Sequence, residues 1–327
     1  MSPTIIDLPE EILLCITSYL DRSACLSLAT TCKALQPSAE SSAWTHLNLS
    51  LYGSDQSSMG NIIFGKQLKD ARGTWPRLLS TVSFPCATSF RVTNLMADIR
   101  ILLYAHPRWL RSVRTISVDI DTVINEPLQE LLVSLSGSLN ELEFKPPYHP
   151  CYPNLSCSQM SLTQLFEGMD KQLTSLRRLH LTLNNKWQDT VQAALLCAPM
   201  ITCLKLTPES IYCGGWEKKM FFEEPDEREW PRLPHLRRIE VEEMYEQMAS
   251  MLASLIQTSD QVEHLILGDP VGRWAPKSEN PLIQQLSRLD SLKTLTISAR
   301  PLEALAAIRK DIMTEIEVKI LDPVNEC

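Results

Sequence analysis

The chain has 327 residues, 44% of them hydrophobic, with Lys+Arg 31 against Asp+Glu 39 and a formal net charge of −8. This is the composition of a folded globular protein, either one large domain or a small module joined to a larger one, and an acidic balance without any basic run disfavours a nucleic-acid partner. No apolar run reaches the length of a membrane span, and the N-terminus lacks a basic region followed by an apolar core and a cleavage site. The ten cysteines are scattered, none in a Cys-x-x-Cys pair, and most sit in apolar contexts. They read as small buried hydrophobes in a reducing compartment, the cytoplasm and/or the nucleus.

The first structured stretch runs from Asp7 to Leu49. Asp7 is placed to cap a helix, with Glu10 completing a capping box and Pro9 tolerated in the first turn. Ile12, Ile16 and Leu20 recur at i, i+4 and i+8 on one stripe, which Leu8 and Leu13 extend. Cys25, Leu28, Ala29 and Cys32 set a second helix after Asp21, which Pro37 is expected to end. An Ala/Ser-rich turn then leads to Trp44. Helices this short cannot bury their apolar faces alone, so something must cover the stripe.

The Leu8-Pro9-Glu10-Glu11-Ile12-Leu13 opening, the Tyr19-Leu20-Asp21 corner, the Cys32-Lys33-x-Leu35 segment and the closing Trp44 resemble, in that order, an F-box. The resemblance covers about the first sixth of the chain. It departs from the family at Thr30 and Thr31, where larger apolar residues are usual. It implies docking on the Skp adaptor of SCF ubiquitin ligases through Leu8 and Pro9 in particular. With them would come Ile12, Leu13, Ile16, Leu20, Leu28, Cys32 and Leu35. A capped helical bundle that only seals the end of the fold would carry the same apolar spacing.

From Trp44 onward the pattern apolar-x-x-apolar-x-apolar returns ten times. The copies are Trp44-Leu47-Leu49, Leu79-Val82-Phe84, Val113-Ile116-Val118, Leu139-Leu142-Phe144, Leu176-Leu179-Leu181, Ile201-Leu204-Leu206, Leu236-Ile239-Val241, Val262-Leu265-Leu267, Leu292-Leu295-Ile297 and Met313-Ile316-Val318. Its last positions alternate as in a strand. Between copies, helical spacing appears at 95–103, 128–135, 162–169, 191–197, 244–256, 282–289 and 302–308. Strand–helix repeats predict parallel strands with helices on the other side, an α/β solenoid. The pattern resembles leucine-rich repeats of a degenerate kind. Leu176-x-x-Leu179-x-Leu181-x-x-Asn184 fits that family best, and only this copy keeps its asparagine. The expected division is residues 1–43 for the helical module and 44–327 for the repeats. No Gly/Ser/Pro linker separates them at Trp44.

Three long inter-strand segments carry aromatic residues: Tyr148 and Tyr152 after strand four, Trp216 after strand six, and Trp274 after strand eight. Parallel strands would send all three from one edge of the sheet, where loops commonly carry function. They could equally anchor the loops themselves. The outward strand positions include Ser83, Glu143, His180, Lys205, Glu240 and Glu317, with Arg178, Arg238, Glu141 and His264 in the row beside them. Such a polar face of mixed sign suits a specific protein partner, although an ordinary solvated sheet face reads the same way. Arg178, His180 and Lys205 stand out as a cationic strip between the Tyr148/Tyr152 and Trp216 loops.

No catalytic constellation emerges. His149, Cys151 and Cys157 do not have zinc-site spacing, Gly214-Gly215 is too short to cradle a phosphate, and no Gly-x-Ser-x-Gly occurs. No metal, cofactor or enzymatic activity is expected. Together the two resemblances imply a substrate-recognition subunit of an SCF-type ubiquitin ligase. The F-box would hold the Skp adaptor, and through it a cullin, while the repeats hold a protein substrate. A scaffold that binds proteins without driving ubiquitylation is the alternative.

Overall fold

The computed structural model describes residues 8–43, 46–50, 89–93, 113–119, 126–145, 162–170, 172–183, 187–208, 212–213, 216–217, 229–270, 281–286, 289–298 and 317–321. The chain is mixed α/β and divides into two compact units, residues 1–139 and 140–327.

The first unit begins with three short helices, α1 (Glu10–Ser18), α2 (Arg22–Thr31) and α3 (Gln36–Ala43). Helix α1 starts later than a cap at Asp7 would set it. Pro9 is its N-cap, with no side-chain capping bond, and its carbonyl accepts from the N–H groups of Ile12 and Leu13 at 3.0 and 3.1 Å. Asp7 itself lies outside the described residues. The side-chain cap sits instead on α2, where Asp21 accepts from the Ala24 N–H at 2.7 Å. Pro37 does not end α2, which stops at Thr31. It stands in the first turn of α3, where a missing N–H costs no helical bond.

Helix α3 packs against both α1 and α2. Thr17, on the inner side of α1, holds it to α3: its Oγ1 donates to the Leu13 carbonyl at 2.9 Å and lies 2.6 Å from Ser42 Oγ. The Cys25 thiol donates to the Thr17 carbonyl at 3.4 Å. The unit continues with β1 (His46–Ser50), β2 (Ser89–Thr93), β3 (Thr115–Asp119) and α4 (Glu126–Ser134). β1, β2 and β3 pair in parallel, in that order.

The register corrects the second copy of the sequence pattern. Phe90 and Val92 stand level with Leu47 and Leu49 on one side and with Ile116 and Val118 on the other. The strand is therefore Ser89–Thr93, and the register position given to Ser83 belongs to Arg91. Leu79, Val82, Ser83 and Phe84 lie outside the described residues. So do Trp44 and the helical segments at 95–103 and 302–308.

The second unit holds a seven-stranded, all-parallel sheet in the order β4 (Glu141–Lys145), β5 (Arg178–Leu183), β6 (Cys203–Pro208), β9 (Arg238–Met244), β10 (His264–Pro270), β11 (Thr294–Ser298) and β12 (Glu317–Leu321). Between β6 and β9 a short antiparallel pair, β7 (Tyr212–Cys213) and β8 (Trp216–Glu217), stands apart from it. The connecting helices are α5 (Leu162–Glu167), α6 (Trp187–Cys197), α7 (Glu246–Gln257) and α8 (Pro281–Leu286). The last strand is also displaced by two residues from its sequence copy. Val318 and Ile320 pair with Leu295 and Ile297, and Lys319 rather than Glu317 stands opposite Thr296.

Alternation along each strand decides what is buried. In β4, Leu142 and Phe144 are fully buried while Glu141, Glu143 and Lys145 are half-exposed. In β6, Leu204, Leu206 and Pro208 are buried between half-exposed neighbours. Phe144 meets Phe166 of α5 edge to face, ring centres 5.8 Å apart and planes at 77°, a favourable aromatic arrangement. Helices α5 and α6 pack together, as do α7 and α8.

One backbone device repeats at the start of successive strands. The Asn140 carbonyl accepts the N–H groups of Arg177 and Arg178 at 2.8 and 2.9 Å, and the carbonyls of Arg177, Thr202, Arg237 and Glu263 do the same for the next strand along. Arginine side chains reinforce the joint. Arg177 donates to the Met200 carbonyl at 3.0 Å and Arg237 to the Gln261 carbonyl at 3.3 Å, each reaching the turn of the following strand. In the first unit Arg114 reaches the Ser138 carbonyl at 3.4 Å.

Ahead of the strands a tight turn adds another inward position: Leu173, Ala198 and Leu233 are all fully buried. At the equivalent place before β10 stands Ser259, also fully buried. Its hydroxyl makes no hydrogen bond among the described residues. A buried hydroxyl without a partner costs about 1–3 kcal/mol. Ser259→Ala, which installs the residue found at 198, is expected to stabilise the protein by about 1 kcal/mol. The urea midpoint measures this, and a lower midpoint would show that the hydroxyl is satisfied.

Candidate functional site

Two surfaces stand out, one in each unit. In the first unit, the outer side of α1 is apolar and uncovered. Leu8, Ile12, Ile16 and Leu20 are 36%, 47%, 38% and 39% exposed, and Tyr19 at the end of the helix is 85% exposed. Their spacing of four puts Ile12 and Ile16 on one side of α1, and Leu8 and Leu20 flank the two ends of the helix. Pro9 is also exposed. Leu28 and Cys32 are half-buried, whereas Leu13 and Leu35 are 7% and 4% exposed. Leu13 and Leu35, expected among the adaptor-facing residues, are therefore buried in the helical trio. Tyr19 is the surface residue that the spacing argument missed. It falls off the i, i+4 series, and only the end of α1 at Ser18 exposes it.

In the second unit, the half-exposed face of the sheet is a charge-paired lattice. His180 sits between strands, Nδ1 3.1 Å from Glu143 Oε1 and Nε2 2.7 Å from Thr207 Oγ1. Glu143 also meets Lys145 at 3.3 Å. Lys205 pairs closely with Glu242, and Arg238 with Glu240. Arg178, 67% exposed, stands 3.9 Å from Glu141. Arg178 and His180 of β5 and Lys205 of β6 stand on adjoining strands, and each has a carboxylate beside it, so the strip is not a bare cationic one. The row containing Thr207 and Glu242 lies one strand period beyond the sequence pattern, which is why reading only the central positions left it out.

Glu242 accepts from Lys205 and Thr207. Burial resists its ionisation, but these hydrogen bonds and the charges of Lys205 and His180 outweigh that and hold the carboxyl below the ordinary glutamate range. A carboxylate depressed in the folded state contributes stability that is complete above its unfolded value, about pH 4.3, and is lost as pH falls through the folded value. The melting-temperature advantage of the wild type over Glu242→Gln is accordingly expected to be largest near neutrality and to shrink as pH falls below about 4.3. A constant advantage over that range would show that the pair contributes nothing.

Burial pushes the Cys25, Cys197 and Cys203 thiols up, away from the thiolate form that nucleophilic chemistry needs. Among the described residues no group of His, Cys, Asp and Glu side chains is arranged to hold a metal ion. Tyr148, Tyr152, Trp274, His149, Cys151, Cys157 and Asn184 lie outside the described residues. Trp216 lies in β8, its backbone opposite Cys213.

No curated protein matches the chain. Among solved structures it is similar to the crystal structure of the Rad7 and Elc1 complex in yeast. The identity is 12%, the match covers 94% of this chain and 92% of that one, and the TM-score is 0.29, a likeness too slight to bear on fold or function. The family model that matches is F-box-like, over residues 5–50. That span holds α1, α2 and α3 together with β1. The chain therefore carries an F-box-like domain at its N-terminal end, with the exposed stripe of α1 inside it.

Proposed function

We propose that the chain is the substrate-recognition subunit of an SCF-type ubiquitin ligase. The F-box-like domain binds a Skp adaptor, the adaptor binds a cullin, and the strands and helices that follow act as a leucine-rich-repeat solenoid holding a protein substrate. The chain performs no chemistry itself. It raises the effective concentration of the target's lysines near the ubiquitin-conjugating enzyme. The reading places it in the cytoplasm and/or the nucleus.

The observation that carries this reading is the uncovered apolar stripe on α1, inside the span that matches the F-box-like family. Two large aliphatic side chains on one short helix, Ile12 and Ile16, with Leu8 and Leu20 flanking its two ends, are exposed together as residues at a protein contact are. Leu8, Pro9, Ile12, Ile16 and Leu20 are the adaptor-facing residues, with Tyr19 at one end and Leu28 and Cys32 at the border. The test is size-exclusion chromatography with light scattering on the purified chain mixed with a purified Skp adaptor. A single peak with the mass of a one-to-one complex is expected. Two separate peaks at micromolar concentration would contradict the assignment.

A further inference from the structure

We infer that Arg178 and Arg238 form a two-point docking site on the open face of the second unit's sheet. Its ligand is a peptide segment in the polyproline II conformation with carboxylate side chains three residues apart. The inference deepens the reading of this unit as the one that holds substrate, and rests on it.

The strand register supplies the geometry. Arg178 of β5 and Arg238 of β9 are both level with Cys203 of β6. The two arginines are therefore two strand spacings apart, about 9.6 Å between backbones. The residue between them is small and uncharged. Both arginines are exposed, with side chains 67% and 46% accessible. The Cys203 thiol is pushed up by burial and by Glu240 and Glu141, against the opposing influence of Arg238 and Arg178, so both guanidinium charges, with their partner carboxylates, act on the ground between the strands.

Neither arginine is fully engaged. Arg178 has a single carboxylate at 3.9 Å, at the outer limit of an ion pair and too long for a hydrogen bond. Arg238 gives Nε to Glu240, and among the described residues its two terminal nitrogens have no further partner. A guanidinium can present a fork of parallel donors to a carboxylate while another of its N–H groups remains occupied. Of the neighbouring side chains, Lys205 is held by Glu242 and His180 is wedged between Glu143 and Thr207.

A spacing of about 9.6 Å selects the conformation of the ligand. In a β-strand, residues three apart point to opposite sides, and same-side neighbours two apart are separated by only about 6.7 Å. A polyproline II segment repeats every three residues and rises about 9.3 Å over that repeat. It therefore lays residues i and i+3 on one side at the spacing of the two arginines. Such a segment runs across the strands from β5 to β9, with its two intervening residues over Cys203.

The test is fluorescence anisotropy with the purified full chain at low salt. The probes are two fluorescein-labelled peptides of equal length, one of repeated Glu-Pro-Pro and one of repeated Glu-Pro. The Glu-Pro peptide carries more charge but never places two glutamates three apart. The Glu-Pro-Pro peptide is expected to bind at least about tenfold more tightly, the scale of one well-formed charged hydrogen-bond pair. Arg178→Gln with Arg238→Gln is expected to remove that preference, as Arg178→Gln alone does in part, while Lys293→Gln leaves it intact. Equal binding of the two peptides, no binding of either, or an unchanged preference in the double variant would overturn the proposal. Co-elution with the Skp adaptor is measured on the same preparations. Its absence counts against the ligase reading, while the peptide preference alone decides this site.

Discussion

Ile12→Asp with Ile16→Asp is expected to lower affinity for the Skp adaptor by at least about a hundredfold while leaving the fold intact. The two isoleucines are 47% and 38% exposed in the isolated chain, so docking still has about half of each side chain to bury. That half is worth about 1 kcal/mol per residue. Each aspartate additionally brings a charge whose removal from water costs several kcal/mol. A hundredfold loss corresponds to about 2.7 kcal/mol, which the combined effects exceed.

Stability should change little, because both positions face outward and the inner side of α1 is held by Leu13 and Thr17. Calorimetry against the adaptor, paired with a thermal melt, measures both quantities. Leu13→Asp is the contrasting variant. Leu13 is 7% exposed, so that change should unfold the helical trio, and its binding loss would come with a lost melting transition. Unchanged adaptor affinity in the Ile12/Ile16 variant would remove the stripe from the interface.

The second large effect concerns the sheet. Gly268→Val is expected to destabilise the protein by about 3 kcal/mol or more, at the upper end of overpacking changes. A Cβ at Gly268 would stand 1.8 Å from the carbonyl oxygen of Glu242 and 2.8 Å from that of Val241. Both are backbone atoms of the adjoining strand, fixed by the parallel pairing of β9 and β10, so relief requires the two strands to separate. Gly137→Ala is the control. Nothing lies within 4 Å of its added Cβ, and fewer unfolded conformations should stabilise the chain by about 0.4–1 kcal/mol. Urea unfolding of the two variants should shift in opposite directions. A Gly268→Val midpoint equal to that of the wild type would mean that β9 and β10 do not approach as described.

Most of the strand set was legible because apolar alternation at strand period has one main cause, the covering of one sheet face. Leu142/Phe144, Leu179/Leu181, Leu204/Leu206 and Ile239/Val241 are buried as that alternation requires. The second and last copies show where it fails. A short apolar pattern matched Leu79-Val82-Phe84 as well as the true strand at Phe90 and Val92, and Ile316-Val318 as well as Val318-Ile320. The partner strand's hydrogen bonds select between such neighbours.

The turn ahead of several strands carries further information. Leu173, Ala198, Leu233 and Ser259 stand six residues before the first strand apolar position. That extra position favours Phe84-Ala87-Phe90-Val92 over a copy that would put Pro76 there, and Ile312 over Lys310 in the last copy. Helix α1 was legible in its stripe but not in its start, since Pro9 serves as N-cap without a side-chain bond. At the sheet face, the sequence brought Arg178, His180 and Lys205 together. It placed Glu141 and Glu143 on the same face but did not show how they pair, and it left out Glu242. Such pairs depend on side chains crossing between strands that lie far apart in the chain.

The central claim, that α1 ties this chain to a ligase while the rest of it holds a substrate, is tested most directly by affinity purification followed by mass spectrometry. Tagged wild type is compared with the Ile12→Asp, Ile16→Asp variant. Wild type is expected to bring down a Skp adaptor and a cullin, and the variant to lose both while retaining the other associated proteins. A cullin recovered equally with both forms, or with neither, would contradict it.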